Sequence, residues 1–157
     1  SSDWQRLQAL VSPGVNRVPT STLVSALKLV RGAPLADAAP GQWHWAEELR
    51  IDMVSTIRDI GARLGEIALA EADLDLARWA AARALVAAPG DEVLMRLRLR
   101  TEHRAGNRPE VERIVLHLTR HARVLGIDLD DETVEAIQEA IEGRPRAREI
   151  AERVSAS

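Results

Sequence analysis

Apolar residues recur along this chain at steps of three and four, and no segment sustains the period-two alternation of a half-buried strand. The pattern predicts an all-α fold of six to eight helices. A first helix is expected over Asp3 to Val11, stopped by Pro13-Gly14. A second runs from a Thr20 or Ser21 cap to Val30, with Leu23, Leu27 and Val30 on one face. The stretch from Gly32 to Gly41 holds two prolines and reads as a loop. A long helix from Trp43 to about Glu71 carries the stripe Leu49, Met53, Ile57, Ile60, Leu64, Ile67. Asp73 caps the next, which bears Leu76, Trp79, Ala80 and Ala84 and ends at Pro89-Gly90. Asp91 caps another, with Leu94, Leu97, Thr101 and Ala105 inward and Gly106-Asn107 at its end. Pro109 opens a helix with Val111, Ile114, Val115, Leu118 and Leu125 inward, closed by Gly126. Asp130 starts one with Val134, Ile137 and Ile141 inward; Gly143 ends it and Pro145 opens a last, arginine-rich helix.

Small residues within this pattern fall at the spacing of a two-helix repeat of about 34 residues. With Pro89 closing the unit, Leu64-Gly65 takes the Leu-Gly step of the first helix, and Ala77 and Ala84 take the small positions of the second. Gly and Ala at these places let two antiparallel helix backbones approach, and the proline turns the chain into the next unit. The usual aromatic positions are Gly61, Ala68 and Ala81, so the repeat is degenerate. The expectation is a short TPR-like hairpin solenoid forming one domain over 1–157, with residues 143–157 an extension or capping helix.

The chain has 157 residues and no cysteine, which excludes disulfides, thiolate zinc sites and cysteine nucleophiles. No apolar run approaches the length a bilayer demands, and there is no initiating Met, so the reading is a cytoplasmic piece of a larger protein without membrane contact of its own. Arginine supplies every basic residue but Lys28, an imbalance that a GC-rich genome explains. The net charge of -3 conceals a positional asymmetry: Arg96 to Arg123 holds eight arginines and three histidines against three glutamates, whereas Asp128 to Glu142 holds seven acids and no base. The domain is expected to be electrically polarised.

Candidate chemistry is sparse. His117 and His121 stand four apart on one helix, but no glutamate lies between them and no third ligand is spaced nearby, so no metal is expected. No serine or aspartate is placed to complete a triad, no Gly-Lys-Ser/Thr element marks a phosphate loop, and Thr133 stands where the acidic run from Asp128 to Glu132 would need glycine to hold calcium. Those acids read instead as helix caps, with Leu129 and Val134 as a hydrophobic staple. Arg96, Arg100 and Arg104 recur every four residues on one helix, and Arg113, His117, Arg120 and His121 do much the same on the next. The plain reading is two solvated faces partly neutralised by nearby glutamates, and it is preferred because such pairs are common and weak. The alternative is a shared groove for an acidic peptide, a phosphate-bearing ligand or a nucleic-acid backbone, the last opposed by the overall negative charge and the lack of aromatics among these arginines. Trp43 and Trp45, two apart at the entrance of the long helix, cannot both face the core, so one is a candidate contact residue.

Several segments resemble the bacterial transcriptional activator domain, the helical partner of the DNA-binding domain in actinobacterial antibiotic-regulatory activators. They are Leu23 to Leu35 (LVSALKLVRGAPL), Trp45-Ala46, Pro89 with Glu92 and Leu94-Met95, Gly106-Asn107-Arg108, and Leu125-Gly126-Ile127-Asp128, within a resemblance that covers about residues 3–140. Leu129 departs from that family's proline, His117 follows Glu112-Arg113-Ile114 in place of an aromatic, and nothing resembles the winged helix that contacts DNA. The resemblance implies a non-catalytic, TPR-like regulatory and oligomerisation module, with a protein or a second copy as partner, no cofactor and no direct DNA contact. The alternative is a sensory domain whose arginines hold a small anion such as a nucleotide.

Overall fold

The computed structural model describes residues 2–32 and 43–142, and the chain folds there into seven α-helices with no strand among the described residues. They are α1 (Asp3–Val11), α2 (Thr20–Lys28), α3 (Trp43–Ala70), α4 (Leu74–Ala87), α5 (Glu92–Ala105), α6 (Arg108–Leu125) and α7 (Asp131–Glu142). Successive helices form antiparallel hairpins that stack, α1 with α2, α3 with α4, α5 with α6, while α7 lies along α5. The Gly32–Gly41 loop, apart from Gly32, and the helix expected after Gly143 lie outside the described residues.

Local chemistry sets most boundaries. Ser2 and Gln5 form a reciprocal capping box at the start of α1, and the Asp73 and Asp91 carboxylates accept from the Leu76 and Leu94 amides at the first turns of α4 and α5. Gly106 and Gly126 close α5 and α6 in the left-handed conformation at φ 73° and 64°, which a side chain at either place would strain. At α2 the expectation is corrected: Pro19 holds the N-cap position and Thr20 is already helical, so no side chain caps this helix. Two arginines seal helix C-termini from outside. Arg83 on α4 donates to the Leu27 and Lys28 carbonyls of α2, and Arg104 on α5 donates to the Leu69 carbonyl of α3 at 2.6 Å.

Alanine and glycine draw the central helices together, with Gly61 facing Ala84 inside the α3–α4 hairpin and Gly65, expected to serve that hairpin, facing α5 of the next. A Cβ added to Gly61 of α3 would stand 2.5 Å from the Ala84 Cβ of α4, and one on Gly65 would collide with the Leu97 side chain of α5. Ala77, Ala80, Ala81 and Ala84 are all fully buried. The first apolar cluster gathers α1 to α4 around Leu23, Leu27, Ile57, Ile60 and Leu64, and Trp79 packs against it. A second, smaller cluster joins α5, α6 and α7 through Met95, Leu99, Val111, Ile114, Leu118, Ala136 and Ala140.

The inward face of α7 differs from the periodicity-based expectation by one position. Thr133, Ala136 and Ala140 are buried, whereas Val134 and Ile141 are exposed and Ile137 is half-buried. Close approach to α5 explains the choice, since small residues fit there and Thr133 must reach an arginine of α5. Leu129 packs on the second cluster, but the exposed Val134 gives it no staple partner. On the neighbouring helices Leu125 and Ala105, expected inward, are exposed.

Candidate functional site

The two arginine rows part company in three dimensions. Arg96 is buried: its guanidinium donates to Thr133 Oγ1 at 2.9 Å and pairs with Glu132 at 3.1 Å, fastening α5 to α7. That corrects the expectation of an outward stripe, and the cause is a partner 37 residues away. Arg104 is committed to the end of α3, and Arg100, half-buried between the two, meets no ion-pair or side-chain hydrogen-bond partner among the described residues. The α5 row therefore turns toward α7 and α3 and does not join the α6 row in one groove.

Other charges on α5 serve the fold. Glu102 is 2% exposed and receives hydrogen bonds from Arg78 of α4 and from the Asn107 amide side chain at 2.9 Å. The bond with Glu102, with its negative charge, holds the Arg78 guanidinium above its ordinary pKa. Glu110 bridges Arg98 of α5 at 2.9 Å and Arg113 of its own helix. The hydrogen bond from Arg113 holds the Glu110 carboxyl below the usual carboxylate range against the opposing effect of burial, and the charges of Arg113 and Arg98 push the same way.

On α6 the predicted residues do share a surface. Arg113, Leu116, His117, Arg120, His121 and Val124 line one shallow cleft of about 340 Å³, at the spacing of a single helical stripe. His117 and His121 stack with ring centroids 6.3 Å apart. Arg113 is held by Glu110, while among the described residues Arg120 and the neighbouring Arg123 meet no ion-pair or side-chain hydrogen-bond partner. A larger cleft of about 550 Å³, between α3 and the turn after α4, also contains arginines, but Arg50 is paired with Glu47 and Arg58 with Asp59 and Asp91. Of these two clefts, the α6 one carries arginine charge without a partner among the described residues, next to bare apolar groups. Trp43 opens α3 and Trp45 lies in its first turn; their side chains fall outside the described residues.

Sequence reasoning passed over the apolar members of this surface. Among the described residues, six of the eight exposed large hydrophobics lie between Leu116 and Ile141: Leu116, Val124, Leu125, Ile127, Val134 and Ile141. A second cleft of about 360 Å³ runs between α6 and α7 over Val111, Val115, Leu116, Thr119, Ala140 and Ile141. The signal was present in the sequence, because Leu116 and Val124 fall off the Val111–Ile114–Leu118 face of the helical wheel.

Nothing identifies the chain by likeness. No family model, curated protein or solved structure matches it. The surface must be judged on its chemistry alone. Among the described residues no group of three or more His, Asp or Glu is placed to hold a metal ion, and no helix is long and apolar enough to cross a membrane. What the α6–α7 end offers is bare apolar surface edged by fixed charge.

Proposed function

We propose that this chain is a non-catalytic, TPR-like regulatory domain that binds a protein partner or another copy of itself and transmits its state to an attached module of a larger, transcription-related bacterial regulator in the cytoplasm. The observation that carries the reading is the concentration of exposed apolar side chains at the α6–α7 end beside Arg120 and Arg123, which have no ion-pair partner among the described residues. Stacked hairpins bury each apolar face against the next unit, so an uncovered face at one end of the stack is where a further helix docks. The regulatory and transcriptional parts rest on the sequence resemblance.

A second reading, a sensor for a small anion, draws on the Arg113, His117, Arg120 and His121 cluster in its 340 Å³ cleft. One experiment separates the two. Labelled acidic amphipathic helical peptides are titrated against the wild-type domain and the Arg120→Glu/Arg123→Glu variant, and melting temperature is followed in parallel with nucleotides and dicarboxylates. Peptide binding lost in the variant supports the interaction domain. A melting temperature raised by a small anion, with no peptide bound, favours the sensor, since a ligand that binds only the native state must stabilise it.

A further inference from the structure

The exposed surface at the α6–α7 end is self-complementary. On α6, Arg113, His117, Arg120, His121 and Arg123 surround the bare Leu116 and Val124. On α7, Asp131, Glu135 and Glu142 surround the bare Val134 and Ile141. The exposed face of α6 is therefore basic and that of α7 acidic.

The direction of the helices makes this complementarity usable. The amino end of α7 meets that of α5, through Glu92 with the Asp130 amide and Arg96 with Thr133, so α7 runs parallel to α5. Its carboxyl end, at Ala140 and Ile141, lies beside Arg108 to Thr119 in the first half of α6. The two helices are therefore neighbours running in opposite directions. A two-fold axis parallel to them, placed over the cleft, sets α6 of one copy on α7 of the other, antiparallel, and repeats the same contact on the other side. In that pairing Leu116 meets Ile141 and Val124 meets Val134. The separations match, about 12 Å along α6 against about 10.5 Å along α7 at about 1.5 Å per residue. Arg120 and Arg123 then fall among Glu135 and its neighbours.

We infer that this end is a homodimer interface, in which the basic stripe of α6 docks on the acidic stripe of α7 from a second copy and closes the apolar cleft of both. The inference rests on the interaction reading above and names its partner.

The test uses the full 157-residue chain in sedimentation equilibrium over a concentration series. Wild type is expected to be a dimer that weakens as salt rises, because attraction between exposed charges is screened over about 10 Å at 0.1 M. Arg120→Glu/Arg123→Glu makes both stripes acidic, and Glu135→Arg/Glu142→Arg makes both basic. Each variant alone is expected to raise the dimer dissociation constant more than about tenfold through like-charge contact. Mixed in equal amounts they are expected to regain wild-type association, since in the mixed pair each reversed stripe faces an opposite one. Val124→Asp, at an 83% exposed site, provides an independent disruption if circular dichroism finds either double variant misfolded. A monomeric wild type, variants that dimerise unchanged, or a mixture that fails to associate would each overturn the inference. A monomeric chain that still binds acidic helical peptides keeps the interaction reading and loses only the self-pairing.

Discussion

The first two hairpins and the last one are held together by different means. From α1 to α4 the contacts are apolar and tight, with alanines and Gly61 letting backbones meet over a cluster that leaves few large side chains bare. From α5 to α7 the apolar cluster is smaller and polar links take over: Arg96 to Thr133, Glu92 to the Asp130 amide, and Arg98 through Glu110 to Arg113. Among the described residues, two of the eight exposed large apolar side chains, Ile51 and Val86, belong to this half. The polar-fastened half keeps several of its large apolar residues outside, the feature on which the proposed interaction role rests.

The contrast can be broken most forcefully in the two cores. Leu64→Ala and Ile114→Ala each remove a fully buried side chain, and both are expected to destabilise within about 2–5 kcal/mol. Leu64 should lie at the upper end because the alanine-packed hairpins cannot collapse around the cavity, and Ile114 at the lower because the open end can. Equal shifts in urea midpoint would erase the proposed difference in rigidity. Next in size, Gly61→Ala drives a methyl against the Ala84 Cβ, which has no rotamer to escape into. A cost of about 1–3 kcal/mol is expected despite roughly 1 kcal/mol gained in helix propensity. Gly65→Ala meets the Leu97 side chain, which can rotate, and should cost less. If the two glycines rank the other way, the α3–α4 contact is not the rigid one.

In the polar-fastened half, Glu102→Gln is expected to cost about 1–3 kcal/mol by thermal denaturation, as Arg78 loses a charged acceptor and one buried polar contact must be remade. The smallest effect is a pH dependence at Glu110. Its folded pKa is depressed, so its contribution to stability is complete above the ordinary carboxylate range and is lost as pH falls through the folded value. The stability gap between wild type and Glu110→Gln should therefore be widest near neutrality and narrow on acidification. A gap that is constant with pH would mean that the Arg98–Glu110–Arg113 bridge is inert.

Most of the helical architecture was readable in the sequence, because helix boundaries depend on nearby residues: Asp73, Asp91, Gly106 and Gly126 announce themselves. What escaped depends on distant partners. Arg96 looks like any arginine at helical spacing until Thr133 is brought to it, and the burial of Thr133, Ala136 and Ala140 runs against a rule that places the largest apolar residues inward. The candidate surface was half legible. Its charges stood out as an asymmetry of composition, whereas its exposed Leu116 and Val124 were obscured by the strong apolar face beside them.

The seal that Arg83 places on the end of α2 also gives the molecule a built-in reporter. Lys28, the only lysine of the chain, sits in the last turn of α2 with its side chain exposed and its carbonyl held by Arg83. Amine-directed labelling will therefore mark one side chain, apart from the terminal amine, at the junction of the first two hairpins and far along the sequence from the α6–α7 end. A fluorophore there can report on the proposed self-association while leaving the α6–α7 surface untouched.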